Sequence, residues 1–192
     1  MILGITGGTG AGKTTLLEVA QRLGFRVLDC DQIYHELLQT DKALLSAIEA
    51  RFPGTVEEGQ LQRKKLGAIV FADTGALEDL NGITHGAIRR EVEHQLTFGG
   101  NVAIDAVALF ESGLSGLCEV TVAVVAPEEE RVRRLMAREG ITEEYARSRI
   151  AAQPGENWYR QRCDHVLENS GDLQQFQEEC LAFFAQRGIM KG

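Results

Sequence analysis

"GITGGTGAGKTT", residues 4–15, follows the apolar run Met1-Ile2-Leu3 and decides the fold. Ile2 to Thr6 reads as a short, fully buried strand. Leu16, Leu17, Val19, Ala20 and Leu23 recur at helical spacing behind the glycines, and Gly24 is placed to end that helix. Between strand and helix, Gly7 to Thr14 match G-x-x-x-x-G-K-[ST]. Glycines at this density let the backbone wrap so that successive N–H groups point inward, and the helix adds the positive end of its dipole. Such a cradle fits phosphate oxygens. Gly8, Thr9, Gly10, Ala11, Gly12, Lys13, Thr14 and Thr15 are therefore the nucleotide-binding candidates. Lys13 would reach the β and γ phosphates, and the Thr14 hydroxyl would hold Mg²⁺.

A dinucleotide-binding fold also places glycines after its first strand, with an acidic residue about 20 positions on. Asp29 and Asp31 fit that acid, but G-x-G-x-x-G from Gly8 would need glycine where Lys13 stands. The lysine-threonine pair belongs to nucleoside triphosphate chemistry. No N-K-x-D guanine reader occurs in the chain. A kinase for some small acceptor and an ATP-driven switch both remain.

Beyond the first helix, strands and helices alternate. Phe25 to Leu28 is a second strand. Ile33, Tyr34, Leu37 and Leu38 form one face of a helix, and Thr40-Asp41 can cap the next, which carries Leu44, Leu45, Ile48 and Phe52. Residues 53–60 read as a loop, and 61–71 and 74–98 as helices. "NVAIDAVALF" gives a third strand ending near Asp105, and "EVTVAVVAP" a fourth, after which Pro127 opens a helix. "HVLEN" is a fifth strand, and residues 172–187 form a closing helix capped by Asp172. Strands that read as continuous apolar runs between helices predict an α/β fold: a five-stranded parallel sheet covered on both faces.

The chain has 192 residues, 44% of them hydrophobic and 25% charged, enough for one domain with a sizeable core. No apolar run is long enough to span a membrane, and the start lacks the basic region of a signal peptide. Cys30, Cys118, Cys163 and Cys180 lack metal-site spacing and read as thiols of a reducing cytoplasm. The net charge of −8 argues against a nucleic-acid partner. Residues 131–162, however, hold eight arginines against four glutamates; with this local surplus of four, the rest of the chain carries −12. An arginine-rich segment in an acidic protein suits a small polyanion, or is a solvated helix face; the sequence pattern leaves both open.

Phosphoryl transfer to an alcohol needs a carboxylate near the acceptor hydroxyl. Asp31, read as ending strand two beside strand one, and Asp29 are the candidates. Either could instead cap the helix that follows, Asp31 especially well.

The assembled residues resemble the dephospho-CoA kinase family over nearly the whole chain. "GITGGTGAGKTT" is similar to that family's phosphate loop, and "VLDCDQI" to its strand-two motif, whose last aspartate is Asp31. "GQLQRKKLGAIVF" resembles the stretch containing Arg63, and "LNGITHGAIRRE" the Leu-His-Pro region at His85. "IDAVALFE" is similar to the Asp-x-Pro-Leu-Leu-Phe-Glu segment, matching Asp105 and Glu111. "RLMAREGITEEYARSRIAAQ" and "DHVLENSG" are similar to the family's lid and last strand. The loop alone is shared by many kinases; the ordered set is far more specific.

The resemblance implies a P-loop nucleoside triphosphate hydrolase fold, three-layered α/β/α. Its core would cover about 1–58, 99–130 and 161–192, with acceptor-binding helices at 59–98 and a helical lid at 131–160. It implies ATP-dependent phosphorylation of the ribose 3'-hydroxyl of dephospho-CoA, with Asp31 as general base. Arg138 and Arg134 would lie over the triphosphate, and Asp105 would orient the Mg²⁺ shell through water. Arg63, His85 and Glu111 would line the acceptor side. Without the motif, His85 reads as an ordinary helix histidine. Arg147, Arg149 and Gln153 would follow in the lid helix, where Arg149 would contact phosphate or pair with Glu143 or Glu144. ATP and dephospho-CoA would be the partners, with neither nucleic acid nor membrane, for a cytoplasmic monomer or weak homo-oligomer. Three positions depart from the family: Gly86 and Val107 stand for prolines, and Cys163 for an alanine. The first two loosen the acceptor side, so another P-loop kinase acceptor is the alternative.

Overall fold

In a computed structural model, which describes residues 1–189, β1 (Ile2–Thr6) runs into the glycine loop and α1 (Lys13–Arg22) leaves it. After β2 (Arg26–Asp29) come α2 (Cys30–Thr40), α3 (Lys42–Arg51), the short strands β3 (Val56–Glu57) and β4 (Gln60–Leu61), α4 (Arg63–Ala72) and α5 (Thr74–Leu96). The chain continues through β5 (Val102–Asp105), β6 (Val120–Val125), α6 (Glu128–Glu139), α7 (Glu143–Ala151), α8 (Glu156–Arg162), β7 (His165–Glu168) and α9 (Leu173–Ala185). Contacts divide these elements into two compact units.

The first unit comprises Met1–Val27, Gly100–Leu109 and the chain from Cys118 onward. It is built on a five-stranded sheet in the order β2-β5-β1-β6-β7. Register is parallel: Ile2 lies opposite Val102 on one side of β1, and Leu3 opposite Val120 on the other. Burial falls from the centre outward. β1 and β6 are buried almost end to end, whereas β7 is half exposed, as the loss of covering neighbours at a sheet edge requires.

Successive residues of a strand face opposite ways, which assigns the layers. Val122 and Val124 pack with Leu3, Ile5, Leu16 of α1 and Phe176 and Phe184 of α9. Ala123 and Val125 pack instead against Tyr159 of α8. The unit is thus α/β/α. Burying an aromatic side chain such as Phe176, 1% exposed, contributes about 1.5–3 kcal/mol. α6 and α7 have a small core of their own, in which Val132 and Leu135 meet Ala146 and Ile150.

The second unit, Leu28–Gly99 with Phe110–Leu117, is helical. Its core joins Leu38, Leu44, Ile48 and Phe52 to Leu66, Val70 and Ala87. Aspartates open three of its α-helices, and α4 starts without a side-chain cap. Asp41 accepts from Ala43 and Leu44 N–H to start α3, and Asp73 from Gly75 and Ala76 to start α5.

Three readings of the sequence need correction. The second strand is not beside the first: β5 lies between them, with Arg26 N–H donating to Asn101 O. The full burial of Val102, Ala103 and Ile104 reflects that interior position, which hydrophobic patterning cannot order. The supposed loop at 53–60 contains β3 and pairs it antiparallel with β4; Glu49 accepts from Gly54 and Val56 N–H and holds the first arm. Within the second unit, α2 and α3 pack on α5. Asp31 does not end β2; it lies in the first turn of α2.

Candidate active site

The sheet delivers the glycine loop by burying everything before it. Thr6 is fully buried and its Oγ1 donates to Val107 O at 3.1 Å. Gly7 and Gly12 then adopt φ of +137° and +102°, conformations that only glycine takes without strain. Gly12 is also the N-cap of α1 and brings no side chain to the first-turn N–H groups, of which that of Thr15 donates to Gly12 O at 3.2 Å. Lys13 Nζ donates to Gly7 O at 3.0 Å, folding the side chain back along the loop. Thr14 follows in the first turn, exposed.

Asp105, the last residue of β5, lies opposite Ile5 in register. Among the described residues no group of three or more His, Cys, Asp or Glu side chains could hold a metal ion. The four cysteines form no disulfide, and burial pushes the Cys118 and Cys180 thiols up to about 12.

The arginine-rich segment divides into two groups. Arg131 and Arg134, one turn apart on α6, point at the loop. Arg131 Nε donates to Thr9 O at 2.8 Å, and Arg134 Nη1 to Ala11 O at 3.3 Å. Burial lowers the pKa of the Arg131 guanidinium. Arg134 also stands 3.9 Å from Glu130; of the others, all but Arg162, whose guanidinium lies over the Trp158 ring, are held by glutamates. Arg138 and Arg149 both pair with Glu139, while Arg147 bridges Glu128, Glu129 and Glu143. Arg149 therefore takes neither Glu143 nor Glu144. Glu139 ends α6 on the near side of the α6–α7 turn, whereas Glu143 stands one turn before Arg147 and is taken by it.

In the second unit, Asp29 caps α2 by accepting from Asp31 and Gln32 N–H, so the expected capping role of Asp31 belongs to Asp29. Asp31 is exposed, and its carboxylate enters no hydrogen bond or ion pair among the described residues. Arg63 opens α4 and lines a groove of about 570 Å³ with Leu38, Gln39 and Glu58. Tyr34 is pushed above its ordinary pKa by burial, against the opposing charge of Arg63. His85 is half-buried on α5; burial pulls its pKa below 6.5, and the Glu111 carboxylate partly offsets this. Arg89, one turn after His85, donates from Nη1 to Gly113 O at 2.7 Å and ties down the turn that carries Glu111.

The family model of dephospho-CoA kinases matches residues 1–175. The chain belongs to the dephospho-CoA kinase family. It is 35% identical to the dephospho-CoA kinase of Carboxydothermus hydrogenoformans, covering 94% of this chain and 91% of that one. Among solved structures, a Thermus thermophilus protein is 34% identical with a TM-score of 0.79, each chain covered to 97%. The dephospho-CoA kinase of Campylobacter jejuni is 26% identical with a TM-score of 0.71, each covered to 98%.

In this dephospho-CoA kinase family member, α5 passes through Gly86 as one continuous helix. A proline there would remove a helix hydrogen bond and clash with the preceding turn. One residue important to the loop escaped the sequence reading, and two others were noted without their contacts. Asn169, directly after β7, is 6% exposed, and its Nδ2 donates to Ala11 O at 2.9 Å. Arg131 was legible only as one of eight similar residues. Gln153, which follows α7, accepts Thr9 N–H at 2.7 Å. The loop's own glycines were the available signal. A Cβ on Gly8 would stand 2.2 Å from Arg131 Nη2, and one on Gly12 2.1 Å from Asn169 Nδ2. Part of the glycine density therefore serves protein packing rather than phosphate. Among the described residues no helix is long and apolar enough to cross a membrane.

Proposed function

We propose that this chain transfers the γ-phosphoryl group of ATP to the ribose 3'-hydroxyl of dephospho-CoA, giving coenzyme A and ADP. The observation that carries this reading is the uncapped, glycine-built start of α1 in a chain of the dephospho-CoA kinase family. The amides of residues 8–15 and the Lys13 ammonium hold the triphosphate.

The Thr14 hydroxyl and the Asp105 carboxylate are hard oxygen donors of the kind Mg²⁺ takes, with substrate phosphates and water supplying the remainder. Thr14 would hold the ion directly and Asp105 through water. When bound, Mg²⁺ neutralises charge on the β and γ oxygens. Arg134, and Arg138 on leaving Glu139, act from a lid at 131–160 and stabilise charge that develops as the bond to ADP breaks. Excluding water there prevents hydrolysis of the γ-phosphate. Asp31 accepts the proton of the 3'-hydroxyl as its oxygen bonds to phosphorus. Arg63, His85 and Glu111 hold the acceptor. The protein works in the cytoplasm as a monomer or weak homo-oligomer, with neither nucleic acid nor membrane as partner.

The test mixes the protein with ATP, Mg²⁺ and dephospho-CoA and looks for coenzyme A by mass. ADP without a phosphorylated acceptor would instead mark an ATP-driven switch. Product from another alcohol in an acceptor panel would mark a different kinase.

A further inference from the structure

Thr9 is gripped on both sides of its backbone by side chains from distant parts of the chain. Its N–H donates to Gln153 Oε1 at 2.7 Å, and its carbonyl accepts from Arg131 Nε at 2.8 Å. The same Gln153 oxygen accepts from Arg131 Nη2 at 3.1 Å, closing a ring of three hydrogen bonds. Arg131 reaches this position across Gly8, whose missing Cβ leaves the room. The ring fastens the end of α7 to the phosphate loop.

A backbone N–H offers one proton, and a strong, linear hydrogen bond uses it. Thr9 N–H is one of the loop amides suited to phosphate. Gln153 Oε1 already presents to it the kind of contact a phosphate oxygen would make: an acceptor oxygen, here neutral, shared between an amide and a guanidinium. We propose that Gln153 is a positioning residue that competes with the triphosphate for Thr9 N–H and Arg131. Nucleotide binding then exchanges the carboxamide oxygen for a phosphate oxygen and releases the end of α7 from the loop. This inference rests on the reading of the loop as an ATP site. The exchange favours Arg131, because a charged acceptor makes a stronger hydrogen bond than a neutral one. Burial already disfavours its uncompensated charge.

Calorimetric titration with Mg-ATP tests this on the full chain. Gln153→Ala is expected to bind ATP about fivefold tighter, the equivalent of one hydrogen bond no longer displaced. Gln153→Glu is expected to bind more weakly, since a carboxylate holds both donors harder and repels phosphate. Without nucleotide, the Thr9 amide is expected to exchange its hydrogen faster in Gln153→Ala. Gln153→Met keeps the side-chain length without the acceptor oxygen and takes the place of Gln153→Ala if that variant melts early. Equal or weaker ATP binding by the folded variant overturns the competition and leaves Gln153 a prop of the loop. Failure of the unsubstituted protein to bind ATP is a different result: it overturns the ATP reading and this inference with it.

Discussion

The Asp29 carboxylate accepts the backbone N–H of Asp31 at 2.9 Å, and that of Gln32 at 3.0 Å. Of the two acids flanking Cys30, one is thereby committed to starting α2 while the other keeps its carboxylate for other work. Asp31→Asn is expected to lower kcat by about 10²–10⁴-fold, the usual contribution of a positioned general base, with ATP affinity nearly kept. Asp29→Ala is expected to cost about 0.5–2 kcal/mol of stability through the lost cap, with a smaller effect on turnover. Steady-state kinetics and urea unfolding on both variants separate the roles. Unchanged turnover in Asp31→Asn would remove it as the base.

Lys13 carries the one mobile positive charge within the loop sequence itself. Its hydrogen bond to Gly7 O at 3.0 Å shows the reach of the side chain along the loop. For Lys13→Ala we expect weaker ATP binding and a kcat lower by about 10²–10³-fold, the scale of losing one charge-stabilising donor in transfer. Nucleotide titration and turnover measured together check this. A loss in affinity alone would make Lys13 a binding residue without a part in the transition state.

His85 titrates below 6.5 because it is half-buried, and Glu111 opposes that shift. Glu111→Gln removes the opposing charge, so the His85 pKa is expected to fall further. The sign for stability follows from linkage. The unfolded chain takes up this proton first, so the contribution of neutral His85 is intact above about 6.5 and declines as pH falls below it. Proton NMR of the imidazole in both proteins checks the order, and a higher pKa in Glu111→Gln would refute it.

The phosphate loop, the order of strands and helices and the closing helix were legible because each rests on local chemistry. Glycine with Lys13 and Thr14, apolar runs of strand length, and Asp172 before an apolar helical stripe each carry their own signal. Asp172 closes a capping box with Gln175, although only the aspartate was read. What failed depended on tertiary partners. β5 comes between β1 and β2 through pairing across about 100 residues, which no window of sequence contains. Gln153 and Asn169 meet the loop from 144 and 158 positions away, and amide side chains have no periodicity to mark them. The lid arginines had the opposite difficulty. Eight residues of one type were visible together, and only geometry separates Arg131 and Arg134 on the loop from Arg138, Arg147 and Arg149 on glutamates.

Asp164 ties the start of β7 to β6. Its Oδ2 accepts from both Thr121 N and Thr121 Oγ1 at 2.7 Å, and its own N–H donates back to Thr121 Oγ1 at 3.0 Å. The hydroxyl bond, then the backbone bond, hold this carboxyl below its ordinary 3.8. A carboxyl with a depressed folded pKa contributes stability that is full above the unfolded value and is lost as pH falls through the folded one. Urea midpoints of the native protein should therefore decline below about pH 4, in part through this group. Thr121→Val removes the hydroxyl, keeps the backbone donor and preserves volume. It should lower the midpoint near neutrality and flatten this part of the acid decline. Because Asp164 is exposed, water softens the effect. An acid decline in Thr121→Val as steep as in the native protein would place the acid sensitivity on other carboxylates.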